Sequence, residues 1–174
     1  MRKVLLITFV FLLIVTNLIA FRSLMKERAL ENFYLASTFE DCVEYTAMTL
    51  EVLSDELFSK NKIIDNEEFL ASVSHAKSEI IIYTKIFLNL RFIDKENLYN
   101  ADLTPLINYL DKLSKKEIIL QEDMNILREI VKYKEDLNNT KIILEKKSFF
   151  YTKYYPNKKI VETLEAINTL VKNR

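Results

Sequence analysis

Val4–Phe21 reads VLLITFVFLLIVTNLIAF, eighteen residues in which only Thr8, Thr16 and Asn17 are polar. As a helix it rises about 27 Å, close to the ~30 Å hydrocarbon thickness of a bilayer. A helix satisfies its backbone hydrogen bonds internally, so it is the cheap way for one segment to cross lipid. Arg2 and Lys3 flank one end, and Arg22, Lys26 and Arg28 the other, where such side chains reach the headgroups. The stretch predicts an uncleaved transmembrane anchor over residues 1–22, with the rest of the chain, 23–174, as one domain. Cleavage after Ala20 is disfavoured by the bulky Leu18 two residues before it. A lipoprotein signal would need a cysteine directly after the apolar run, and the single cysteine is Cys42.

Orientation follows less directly, because the positive-inside rule counts Lys and Arg and both flanks carry them. A three-residue leader before an apolar run resembles an export signal. The expectation is a single-pass protein of the cell membrane with its carboxy-terminal domain outside the cytoplasm.

Composition sets the class of that domain. There is no glycine in 174 residues and only two prolines, Pro105 and Pro156. Tight turns and phosphate-cradling loops favour glycine, so β-rich and nucleotide-loop folds are disfavoured. All 25 acidic residues and 23 of the 25 basic ones (all but Arg2 and Lys3) follow the apolar run, leaving about −2 on the domain. That balance argues against a nucleic-acid surface. One cysteine excludes an internal disulfide.

The apolar spacing is helical throughout. One helix from Lys3 to about Ser59 is expected, with Phe39, Val43, Thr46, Leu50, Leu53 and Leu57 at alternating steps of four and three. Asp65 with Glu68 three residues on is a helix-start signature. The next helix, to about Phe92, carries Phe69, Val73, Ala76, Ile80, Tyr83, Phe87 and Leu90 in the same rhythm. Asp94–Ala101 reads as a polar connection. Thr104-Pro105 restarts a helix, with proline in the first turn where its missing N–H is harmless, and Leu106, Leu110 and Leu113 follow. Ser114-Lys115-Lys116-Glu117 reads as a break and a new cap. A helix from about Glu117 to Lys147 would carry Leu120, Met124, Leu127, Val131, Leu137 and Leu144. A last helix carries Ile160, Leu164, Ile167 and Val171. Amphipathic faces must cover one another. The prediction is an all-α fold: a transmembrane helix continuing into an antiparallel bundle of four to five helices.

No constellation of catalytic, cofactor-binding or metal-ligating residues stands out. His75 is the single histidine; Glu79 lies one turn away, a surface or half-buried pair. Di-metal bundles place Glu-x-x-His on two helices, and there is no second histidine. Cys42 lies beside the first stripe and reads as a small core residue. Paired acids such as Asp41 and Glu44, or Glu122 and Asp123, are unmarked among 25. Asn138-Asn139-Thr140 matches a glycosylation acceptor, meaningful only on a eukaryotic secretory route.

The most pointed local feature is FFYTKYY over Phe149–Tyr155, bracketed by Lys146, Lys147, Lys158 and Lys159. As a linker it packs into the bundle end with its lysines in water. As a contact surface, Phe149, Phe150, Tyr151, Tyr154 and Tyr155 meet a protein partner or the membrane surface. The expected role is therefore a membrane-anchored structural or protein-interaction module of the cell envelope, not an enzyme and without a cofactor. Its expected partners are membrane lipid and either another protein or a second copy of itself. A ligand-sensing ectodomain is the alternative; with three residues before the anchor it would signal through another subunit. With the orientation reversed, the protein becomes a membrane-tethered cytoplasmic adaptor.

Overall fold

A computed structural model of the protein describes residues 2–58, 65–94, 99, 101–148 and 151–172. Among them are five helices, α1 (Arg2–Phe58), α2 (Asn66–Ile93), α3 (Thr104–Leu113), α4 (Gln121–Asn139) and α5 (Lys158–Val171). One antiparallel hairpin, β1 (Ile143–Lys147) and β2 (Thr152–Pro156), lies between α4 and α5. The fold is an all-α bundle carrying that hairpin.

α1 is continuous for 57 residues, from the apolar run into the domain, with no Gly or Pro to interrupt it. Its membrane-length part is not covered by the rest of the chain. Phe9, Phe11, Leu12, Ile14, Leu18, Ile19 and Leu24 are all exposed, and none of its apolar window is buried. Length and composition suffice to cross a membrane. Two of its polar side chains are bonded to its own backbone. Thr16 Oγ1 donates to the carbonyls of Leu12 (2.9 Å) and Leu13 (3.0 Å), and Asn17 Nδ2 donates to Leu13 O at 2.8 Å. A polar group in hydrocarbon costs little when bonded this way.

Burial begins near Ala36 and follows the predicted stripe: Phe39, Val43, Thr46, Leu50, Leu53 and Leu57 are all enclosed. α2 runs antiparallel to α1. Phe39 meets Phe87 and Tyr45 stacks on Tyr83, each at 5.5 Å between ring centroids, while Glu56 and Ser72 share a groove near the other end. Rising numbers on one helix therefore meet falling numbers on the other. The start of α2 is capped as expected, with Asp65 Oδ1 accepting from the Glu68 N–H at 2.8 Å. The helix neighbours close into a ring, α1–α2–α3–α5–α4 and back to α1. Leu106, Leu110 and Leu113 of α3, Leu127 and Ile130 of α4, and Ile160, Leu164 and Ile167 of α5 fill it. Each such side chain, fully buried, stabilises by roughly 1.5–3 kcal/mol.

Three sequence expectations change. The predicted helix Glu117–Lys147 begins later and ends eight residues sooner. It starts at Gln121 because the Asp123 carboxylate accepts from the Leu120 N–H (3.0 Å) and fixes the first turn there, leaving Leu120 exposed. It stops at Asn139 because Asn138-Asn139-Thr140 are weak helix formers and Ile142-Ile143 suit an extended chain. Leu144 thus belongs to a strand. The aromatic stretch is not a linker: Thr152–Pro156 is the second strand of the hairpin, ending on a proline that an edge strand tolerates. The connection after α2 is not wholly polar, for it delivers Tyr99 into the core against Phe39, ring centroids 5.7 Å apart. The expected helix end at Lys60-Asn61-Lys62 lies outside the described residues.

Candidate functional site: the aromatic hairpin and its seat on the long helix

The hairpin register pairs Ile143 with Pro156, Leu144 with Tyr155, Glu145 with Tyr154, Lys146 with Lys153 and Lys147 with Thr152. Side chains alternate across a strand. Tyr154 and Tyr155 therefore leave opposite faces, and the expected aromatic cluster is split.

Tyr154 faces α1. Its ring lies edge-on to Phe33, centroids 5.5 Å apart. Its main chain is held by one side chain: the Tyr154 N–H donates to Asn32 Oδ1 at 2.6 Å, and Asn32 Nδ2 donates to Tyr154 O at 3.1 Å. The amide of Asn32 thus mimics a neighbouring strand. Tyr99 closes the node, donating its hydroxyl proton to Tyr154 O at 2.8 Å while accepting from Asn32 Nδ2 at 3.0 Å. Asp94 Oδ2 positions Tyr99 by accepting its backbone N–H at 2.7 Å. Three segments distant in sequence converge here. Neither Asn32 nor Tyr99 was singled out by the sequence, because a lone Asn in a helix and a Tyr in a polar stretch carry no periodic signal.

Tyr155 is half-buried on the other face, paired with Leu144. Tyr151 is exposed at the turn. Ser148 closes that turn, its N–H and its hydroxyl both donating to Tyr151 O, at 2.9 Å and 2.6 Å. Phe149 and Phe150 lie outside the described residues. Lys146 and Lys147 are exposed beside the turn. At the hairpin's base Asn157 joins it to α5: its N–H donates to Ile142 O (2.8 Å), its Nδ2 to Lys141 O (2.9 Å), and its Oδ1 accepts from the Lys159 N–H (3.1 Å). A shallow cleft between hairpin and α1 is lined by Phe33, Ser37, Glu40, Lys141 and Glu145. Glu40 holds its proton more tightly than an ordinary glutamate, first because it is partly desolvated and then because Glu44 and Asp41 lie near; Lys141 opposes this.

His75 and Glu79 meet a second cleft, between α1 and α2, with Tyr45, Met48, Val52 and Tyr83. Its volume, about 180 Å³, is below the roughly 300–1,000 Å³ of small-molecule sites. Tyr83 donates to Glu79 Oε2 at 2.9 Å, and its hydroxyl is pushed up to about 12, by burial first and then by the carboxylate. Cys42 is buried and its thiol is raised to about 11 by burial and by Asp41, so it is an unreactive core group. Among the described residues no three His, Cys, Asp or Glu side chains cluster closely enough to hold a metal ion.

The chain is 27% identical, over 147 residues, to an uncharacterized protein of Plasmodium falciparum (isolate 3D7). The match covers 83% of this chain and 12% of that protein, so the chain spans about an eighth of its relative's length. No protein-family model and no solved structure matches.

Proposed function

We propose that the protein is a single-pass membrane-anchored helical bundle that acts as a structural or protein-interaction module at the cell envelope, with its domain outside the cytoplasm. One observation carries this: the apolar segment is left bare by the bundle yet is continuous with the helix on which the bundle is built. Lipid around a bare apolar rod of that length would account for its exposure. A rigid continuation would set the domain at a fixed height above the bilayer, as a spacer or docking platform needs. The features described suit a scaffold: hydrogen bonds that seat one element on another, and a cysteine buried in the core.

The test has two parts. In a Cys42→Ala background, Lys172→Cys at the exposed end of α5 is labelled with a membrane-impermeant maleimide on intact cells. Labelling agrees with an external domain; labelling only after lysis would reverse the orientation and make the protein a cytoplasmic adaptor. Cross-linking in native membranes followed by gentle solubilisation should give a stoichiometric partner or a defined oligomer. A solitary monomer in every cross-linked fraction would contradict an interaction role.

A further inference from the structure

The hairpin lies along α1 in a definite direction. Lys141, just before β1, lies close enough to Glu40 for its charge to act on that carboxylate, whereas Tyr154, the pair partner of Glu145, is bonded to Asn32 and packs on Phe33. Moving from base toward turn thus moves down α1 toward the apolar segment. Lys141 to Glu145 advances about 13 Å as a strand, and Glu40 to Asn32 descends about 12 Å as a helix. The near-equal advances make the hairpin run nearly parallel to the helix. From the Glu145–Tyr154 pair to Ser148 and Tyr151 is about 10 Å more, while Phe21, the end of the apolar run, lies about 16 Å below Asn32. Tyr151 therefore reaches within about 6 Å of the level where the apolar run ends, the thickness of one headgroup layer at roughly 5–7 Å.

The chemistry at that level fits an interface. Tyr151 is exposed there, with Lys146 and Lys147 exposed beside it and Lys153 one step up the strand. On α1 the same height carries Arg22, Lys26 and Arg28. Aromatic rings with a polar tip sit at headgroup depth, and lysines there attract anionic lipid. We propose that the turn of the hairpin is a membrane-interface contact, Tyr151 entering the headgroup layer of the leaflet from which α1 emerges, with Lys146, Lys147 and Lys153 giving preference for anionic lipid. Together with α1 it makes a second foothold, which fixes the tilt of the domain. It rests on the anchoring reading above.

The chain has no tryptophan, so single reporters are clean. Full-length protein carrying Leu13→Trp, Tyr151→Trp or Tyr45→Trp is placed in phosphatidylcholine nanodiscs, with and without phosphatidylglycerol, using lipids brominated at defined acyl depths. The expected result is strong quenching of the Leu13→Trp reporter by deep bromines and of the Tyr151→Trp reporter by shallow ones. The Tyr45→Trp reporter, about 36 Å along α1 from Phe21, should be unquenched. Joint Lys146→Glu, Lys147→Glu and Lys153→Glu changes should weaken the Tyr151→Trp quenching in anionic discs. Lys147→Trp gives a second reporter at the same turn. Quenched Leu13→Trp with both turn reporters unquenched would overturn the inference and leave the anchor standing, pointing instead to a protein partner for the turn. Unquenched Leu13→Trp would overturn the anchor and the inference together. Quenching unaffected by the three charge reversals would overturn the anionic preference.

Discussion

Asn32 on the long helix and Tyr154 on the second strand bind each other as two strands do, one side-chain amide meeting both the N–H (2.6 Å) and the carbonyl (3.1 Å) of one residue. These residues are 122 positions apart. The contact fixes where the hairpin lies on α1, and hence the height and direction of its turn.

Asn32→Ala removes both bonds, and with them the one to the Tyr99 hydroxyl, and leaves two backbone groups without that partner. A loss of about 1–3 kcal/mol is expected, read by urea unfolding of the full-length protein in detergent micelles. Hydrogen exchange should speed first at the Tyr154 amide while α2 and α5 stay protected. Equal loss of protection across all helices would show that Asn32 supports the bundle rather than the hairpin's seat.

The two long stripes are the core. Leu53→Asp or Ile80→Asp places a charge in a fully enclosed site, and unfolding of the domain is expected. Thr84 is a contrast. It is buried on α2 and, among the described residues, its hydroxyl has no hydrogen-bond partner. Thr84→Val keeps the shape and removes the desolvated hydroxyl, so a gain of about 1 kcal/mol is expected. A stability loss on Thr84→Val would reveal a hydroxyl partner in the folded protein.

Asp123 is buried at the start of α4, where its Oδ2 accepts from the Leu120 N–H and both its carboxylate oxygens accept from the Lys116 ammonium, at 2.7 and 2.8 Å. Asp123→Ala uncaps the helix and orphans the lysine, with an expected cost of about 2–3 kcal/mol. Lys116 is partly exposed, so water can take its place in part and Lys116→Met should cost less. Thermal midpoints of the two variants decide the order; the reverse order would mean that the ion pair outweighs the cap.

Glu40 has a raised folded-state pKa, so the folded protein binds that proton more tightly than the unfolded chain. Its contribution to stability is thus least favourable above the folded value and improves as pH falls toward the ordinary 4.5. Glu40→Gln should therefore raise the thermal midpoint at neutral pH, with the advantage shrinking as the buffer is acidified through that window. An advantage that grew on acidification would give the opposite sign to the shift.

Much of the bundle was legible because it is written in periodic form. Phe39 to Leu57 and Phe69 to Leu90 repeat at steps of four and three, and nearly all those positions are enclosed, Tyr83 half so. Asp65 was legible because a cap is local chemistry. The hairpin was not. Lys141 to Lys147 follows a real helix without a glycine or proline to mark its end, and only the pairing with Thr152–Pro156 makes a strand of it. Tyr99 and Asn32 were silent because their roles exist only where three distant segments meet. Of the five aromatics singled out, the fold uses Tyr154 internally and leaves Tyr151 outward, a distinction set by strand alternation that composition does not contain.

The central claim is that the first segment of α1 resides in lipid and carries the bundle with it. Alkaline carbonate extraction of native membranes, with intact mass confirming that the first twenty residues are retained, tests this most directly. The protein is expected in the membrane pellet, released only by detergent. Recovery of the full-length chain in the carbonate supernatant would contradict it.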